Sequence, residues 1–249
     1  MSDKQWEWIW GRNPVFEVLR GQRRTLKSLL IAKGSNQNSQ LDEIIQLARN
    51  SNLNPEWVPR SELDRRVDHH QGVLLQAGPY PYASLEDILG RAESLTEPQF
   101  VLLLDVLKDP QNLGTLFRTA EAVGVHGVVL PYRRTATVTP AVVNASSGAS
   151  EHLLVTQGNL AQTLERLKEE GAWVVGLEGD QEASRPDEID LTGPIAVVVG
   201  SEAEGMRRLV RESCDFLMRL PMRGKIDSLN AAVAGSVALY LVWQARSFR

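Results

Sequence analysis

Five compact apolar runs constrain the fold more than any other feature of the chain: FVLLLDV (100–106), GVVL (127–130), WVVGL (173–177), IAVVVG (195–200) and FLMRL (216–220). Runs of this kind offer no polar face to water, so they read as strands of a parallel sheet covered on both sides. Segments 112–123, 160–170 and 204–211 between them read as helices, and a small-residue helix closes the chain over 229–245. The expectation is a doubly wound α/β domain. Ahead of it, AGPYPYAS (77–84) brings two prolines and a glycine together and reads as an extended linker. Before the linker, helical patterns at 13–20 and 40–50 alternate with apolar or extended stretches at 28–32, 56–58 and 72–76. That is a second, smaller α/β domain. The expected division is 1–77 for the small domain, 78–96 for the linker and a connecting helix, and 97–249 for the large domain.

Hydrophobic residues make up 43% of the 249 and charged residues 23%, the balance of a folded chain rather than a disordered one. No run approaches the roughly 20 apolar residues of a membrane span, and MSDKQWEWIWGRNP lacks the pattern of a secretion signal. A cytoplasmic location is the expectation. Cys214 is the only cysteine, which excludes an intrachain disulfide and a cysteine metal cluster, and beside Phe216 and Leu217 it reads as inert packing. The four histidines show no ligand spacing, so no metal site is expected.

A net charge of −4 is unusual for a protein that handles nucleic acid, but residues 1–77 hold 11 Lys and Arg against 9 Asp and Glu. The excess gathers near the start. Arg12, Arg20, Arg23, Arg24 and Lys27 are candidate RNA contacts there, with a solvated surface as the equally good alternative.

Three segments lie where loops leave the carboxyl ends of strands, the edge at which doubly wound sheets bind ligands. The first is DPQNLGTLFRTAEAVG (109–124), in which Leu113, Leu116, Phe117 and Ala120 form a buried helical stripe and Gly124 a stop. Asn112 stands at its expected cap, and Arg118 falls away from the apolar stripe. The second is VVVGSEAEGMRRL (197–209), where Gly200 and Gly205 bracket a tight turn. It matches neither a phosphate loop nor a dinucleotide fingerprint, and Glu202 and Glu204 favour a cationic or zwitterionic ligand over a triphosphate. The third is LPMRGKIDSLNAAVAGSVALYLVWQAR (220–246), with Ser228 and Asn230 at the mouth of a helix rich in Ala, Gly and Ser. Such small side chains suit close packing, within the fold or across a dimer.

Taken together, Asn112-Leu113-Gly114 with Arg118-Thr119-Ala120, Gly200-Ser201-Glu202 with Gly205, and Leu220-Pro221-Met222 with Ser228-Leu229-Asn230 resemble the three signature motifs of the SpoU/TrmH family of RNA ribose 2′-O-methyltransferases, in the family's order. WGRNPVFEVLR (10–20) is similar to the start of the L30e-like RNA-binding domain of RlmB-type members. Ala203 departs from the glycine that many members carry. The resemblance implies a small N-terminal L30e-like α/β domain, and a C-terminal α/β domain with a trefoil knot of the SPOUT type. It implies S-adenosylmethionine as cofactor, bound by Leu177, Gly179, Gly200, Leu220, Met222 and Leu229, with catalysis by Asn112, Arg118, Glu202, Ser228 and Asn230. It also implies a homodimer acting on a guanosine of 23S ribosomal RNA. A tRNA ribose methyltransferase and a catalytically inactive RNA-binding protein of the same fold are the alternatives. A nucleotide-dependent enzyme on an ordinary doubly wound sheet is a third, disfavoured by the missing phosphate loops.

Overall fold

The computed structural model describes residues 6–36, 38–180, 182–201 and 204–248. The chain begins with β1 (Glu7–Trp10), α1 (Arg12–Gly21), β2 (Leu26–Ala32), α2 (Ser39–Asn50), β3 (Glu56–Val58), α3 (Arg60–Asp64) and β4 (Val73–Ala77). It continues through α4 (Leu85–Leu95), β5 (Phe100–Leu104), α5 (Pro110–Ala122), β6 (Gly127–Pro131), α6 (Pro140–Ala145), a 3₁₀ turn (Ala149–His152), β7 (Val155–Gly158) and α7 (Leu160–Glu169). The last stretch holds β8 (Trp173–Leu177), β9 (Ile195–Val199), α8 (Arg208–Glu212), β10 (Phe216–Met218) and α9 (Ala231–Ala245). No helix among the described residues is long and apolar enough to cross a membrane.

These elements form two compact units, Met1–Pro81 with Val138–His152, and Tyr82–Thr137 with Leu153–Arg249. The inclusion of 138–152 in the first unit is absent from the sequence-based division. That unit carries a four-stranded sheet in the order β1-β4-β2-β3, with β3 parallel to β2 and the other pairs antiparallel. Ile9, Val15, Leu19, Leu29, Ile31, Leu41, Ile44 and Leu75 are fully buried in it. Tyr80, from the proline-rich stretch, is buried as well, and its hydroxyl donates to the Ser150 carbonyl at 3.0 Å. Burial pushes the Tyr80 phenol up to about 12, so it stays a donor.

The second unit is a six-stranded sheet, parallel at every pairing, in the order β10-β8-β9-β5-β6-β7. From β5 the chain runs outward through β6 and β7, then returns to place β9 against the other edge of β5. The loops leaving β5 and β9 therefore part at the centre of the sheet, the crevice where ligands bind in folds of this class. Two expectations shift. Residues 204–207 are not helical, because Ser201 and Gly205 exchange both backbone hydrogen bonds at 3.0 Å and Gly205 takes φ +64°, so a hairpin delays the helix to Arg208. The closing helix begins at Ala231, after an Asn230 cap.

Candidate functional site

A cleft of ≈ 310 Å³ opens where β8, β9 and β10 end, closed on one side by the start of α9. Leu177, Gly179, Gly200, Leu220, Met222 and Leu229, all six residues expected at a cofactor site, line it together with Ser228. Sequence reasoning missed the acidic groups of the same lining, Glu178 and Asp227. Gly200 is required for the local shape: a Cβ there would lie 2.4 Å from the Gly205 carbonyl carbon and 2.5 Å from the Met206 nitrogen. No other residue lets Gly205 and Met206 pack back over the end of β9.

The hairpin is held from the neighbouring strand. Asp105, fully buried just past β5, accepts from the Arg207 backbone N–H at 2.8 Å and from its Nε at 2.7 Å. The charged hydrogen bonds offset the burial of the carboxylate. The next residue, Val106, sits at φ +63°, a strained position for a β-branched side chain, at the turn leading to α5. Asp105 is not among the expected site residues, although a lone acid ending a buried apolar run is the signal for it in the sequence.

At α5 the structure corrects one expectation. The cap is Asp109, whose Oδ1 accepts from the Gln111 N–H at 3.0 Å, with Pro110 in the first position. Asn112 lies inside the first turn, and its Oδ1 accepts from Asn230 Nδ2 at 3.1 Å. Asn230 also caps α9, its Oδ1 accepting from the N–H groups of Ala232 at 3.0 Å and Val233 at 3.2 Å. The first and third motifs are thus joined side chain to side chain at the rim of the cleft. Farther along, the Thr119 and Ser236 hydroxyls meet at 2.9 Å, and Arg118 projects from the exposed side of α5. Glu202 and Ala203 lie outside the described residues. Cys214 is half-buried against the Val210 carbonyl, and burial pushes its thiol up to about 12, far from reactive.

In the first unit the candidate RNA contacts separate. Arg24 is corrected: its guanidinium is buried, bidentate to Glu151 at 2.9 and 2.8 Å and paired with Glu7 at 2.8 Å, so it has no free face for a phosphate. Arg12 donates to Asn38 Oδ1 at 2.6 Å and the Asn36 carbonyl at 2.8 Å, and Arg23 donates to the Pro81 carbonyl at 3.1 Å. Arg20 and Lys27 are exposed, Arg20 3.6 Å from Glu17 and Lys27 over the ring of Trp6.

This fold and these motifs define the class. Residues 99–240 match the model of the SpoU rRNA methylase family, and residues 8–83 match that of the RNA 2′-O ribose methyltransferase substrate-binding domain. A putative TrmH family tRNA/rRNA methyltransferase, YacO of Bacillus subtilis (strain 168), is 44% identical over 98% of both chains. A putative TrmH family tRNA/rRNA methyltransferase of Staphylococcus saprophyticus is 40% identical over 96% of both. The crystal structure of the SpoU methyltransferase AviRb from Streptomyces viridochromogenes, in complex with AdoMet, superposes with a TM-score of 0.79 at 21% identity, covering 98% of this chain and 92% of its own. The chain belongs to the SpoU/TrmH family of RNA methyltransferases.

Proposed function

We propose that the protein transfers a methyl group from S-adenosylmethionine to the ribose 2′-hydroxyl of a guanosine in 23S ribosomal RNA. The observation that carries this reading is the convergence of the three motifs, with all six expected cofactor residues on one cleft and Asn112 bonded to Asn230 at its rim. The cleft suits the cofactor: Leu177, Met218, Leu220 and Leu229 offer apolar surface to an adenosine, while Asp227 favours a cation and opposes phosphates, the other acid of the lining, Glu178, being paired with Arg211. The family description names ribosomal RNA, and a structurally similar AdoMet-bound enzyme of Sinorhizobium meliloti is named an rRNA methyltransferase. Guanosine follows from the likeness to RlmB-type members. The tRNA reading is the second, supported by the relatives' names. The trefoil knot belongs to the same proposal, since Ser201 and Gly205 meet Leu220, Met222 and Leu229 on one cleft as knotted loops would.

Bound adenosylmethionine supplies an electrophilic methyl carbon for an in-line displacement. The chain's own work is to orient the ribose and to stabilise negative charge as the 2′-oxygen gives its proton to solvent water and takes the methyl group, the broken sulfur–methyl bond leaving S-adenosylhomocysteine. A guanidinium is a poor base in neutral water, so Arg118 serves as an electrostatic partner of that oxygen rather than a literal base. Asn112, held by Asn230, orients the ribose beside it, and Glu202 and Ser228 hold the loops around the substrate. Arg118→Ala should slow single-turnover methylation on the order of a hundredfold or more while leaving adenosylmethionine affinity unchanged. Near wild-type transfer by the folded variant would return Arg118 to the helix surface.

The active form is a homodimer. Val233, Val237 and Tyr240 are 46, 40 and 46% exposed and fall at i, i+4 and i+7 along α9, an apolar stripe on a helix whose other side is buried. Val233→Glu with Val237→Glu should give a monomer by light scattering. A dimer unaffected by both charges would remove this face from the interface.

A further inference from the structure

Beyond the methyl-transfer cleft, a second opening of ≈ 590 Å³ lies at the carboxyl ends of β6 and β7, against the start of α8. Its lining includes Tyr132, Arg133, Arg134, Arg207, Arg208 and Leu209 and contains no acidic residue, in a chain whose net charge is −4. Tyr132 is 70% exposed, an aromatic ring offered to solvent rather than to the core. Many arginines of this unit are committed: Arg166, Arg185, Arg207, Arg208 and Arg211 each hold a carboxylate, and Arg219 and Arg246 donate to backbone carbonyls. Arg133 and Arg134 are exposed and have no hydrogen-bond or ion-pair partner among the described residues, although carboxylates are in excess.

The loop carrying them is anchored. The Ala136 N–H and the Thr135 hydroxyl both donate to the Leu107 carbonyl, at 2.7 and 2.8 Å, so the arginine loop is pinned to the turn between β5 and α5. That turn leads directly into the helix bearing Asn112 and Arg118. Arg134 takes φ +64°, a backbone state that non-glycine residues avoid unless surroundings impose it.

We propose that this cleft is the docking site for single-stranded RNA flanking the target nucleotide, with Arg133 and Arg134 on backbone phosphates and one base stacked on Tyr132. The inference rests on the RNA-methyltransferase reading above and adds where the substrate strand runs. Unpaired guanidinium groups supply the phosphate contacts, and an exposed ring beside them supplies the sequence-tolerant stacking that such strands use. Arg207 and Arg208, already paired with Asp105 and Glu212, frame the far wall.

The test uses the full-length protein and an unmodified transcript of 23S ribosomal RNA, with filter binding between about 50 and 200 mM salt. The double variant Arg133→Ala/Arg134→Ala should lose about tenfold or more in affinity and flatten the salt slope by about 2. Tyr132→Ala should lose about tenfold, and Tyr132→Phe should bind as wild type does. Calorimetry should show unchanged adenosylmethionine affinity, and KM for RNA should rise while the single-turnover rate at saturating RNA holds. If wild type binds and methylates the transcript and the variants match it in affinity, slope and KM, the cleft proposal fails alone. If wild type has no affinity for the RNA, the cleft and the function reading fail together.

Discussion

Asn230 holds two duties in one side chain: its oxygen caps α9, and its nitrogen donates to Asn112 at the rim of the cleft. The sequence treats capping and function as rival readings of an asparagine, whereas the geometry makes them compatible because an amide has both an acceptor and a donor. The two can be separated. Asn230→Asp keeps the capping acceptor and adds a negative charge that a helix start tolerates, but removes the donor to Asn112. Thermal stability should stay near wild type while single-turnover methylation falls. Asn230→Ala should lose both, with a stability cost of about 1 kcal/mol. An aspartate variant that methylates at the wild-type rate would show that the Asn112 bridge is dispensable. Asn112 itself was legible as a motif residue but misplaced as a cap, since the DP that precedes it, Asp109 and Pro110, starts the helix three residues earlier.

Among the elements, the apolar runs identified β5, β6, β8 and β9 within a residue or two, because a strand buried on both faces announces itself through composition. β1 and β7 were missed. EWIW and VTQG are four residues each with polar members, too short for alternation to stand out. The hairpin at 201–205 was read partly as helix because its pairing depends on Gly200 meeting Gly205, a contact that no periodicity encodes. The small residues of α9 were legible as close packing, and the structure shows that the buried ones face inward. At Gly235 a Cβ would stand 2.6 Å from Leu116 Cδ2 and 3.1 Å from Val199 Cγ2, where α9 crosses α5 and β9. Ordinarily Gly→Ala in a helix gains up to about 1 kcal/mol. Here Leu116 is fully buried and cannot swing away, so overpacking at a typical 1–3 kcal/mol should win and Gly235→Ala should be net destabilised. Urea unfolding measures the sign, and a stabilised variant would mean that the α5–α9 contact yields more readily than its geometry suggests.

At the scale of the whole molecule, the main surprise is that the first compact unit is completed by Val138–His152, residues that follow β6 in the chain. Nothing in TPAVVNASSGASEH signals this, since α6 is six residues long and the partner contacts span more than a hundred positions, as in Arg24 with Glu151 at a separation of 127. Those two side chains are 0 and 1% exposed, with Tyr80 stacked at 5.2 Å from the Arg24 guanidinium. A buried pair of this kind is weak evidence of net stabilisation, but losing one partner strands a charge. Glu151→Ala leaves the buried Arg24 with the Glu7 carboxylate but without its bidentate partner, and should cost about 3 kcal/mol, concentrated in the first unit. Arg24→Met combined with Glu151→Leu and Glu7→Gln should recover most of that loss, because no unpaired charge is left. Hydrogen exchange resolves where the damage falls: β2 and β4 should lose protection in Glu151→Ala, while β5 and β9, in the other unit, keep theirs. Adenosylmethionine affinity should hold, since every residue lining the cleft proposed for it belongs to that other unit. If the single variant unfolds no earlier than wild type, or if protection is lost evenly across both units, then the late segment does not lock the first unit and the ion pair is incidental to its fold.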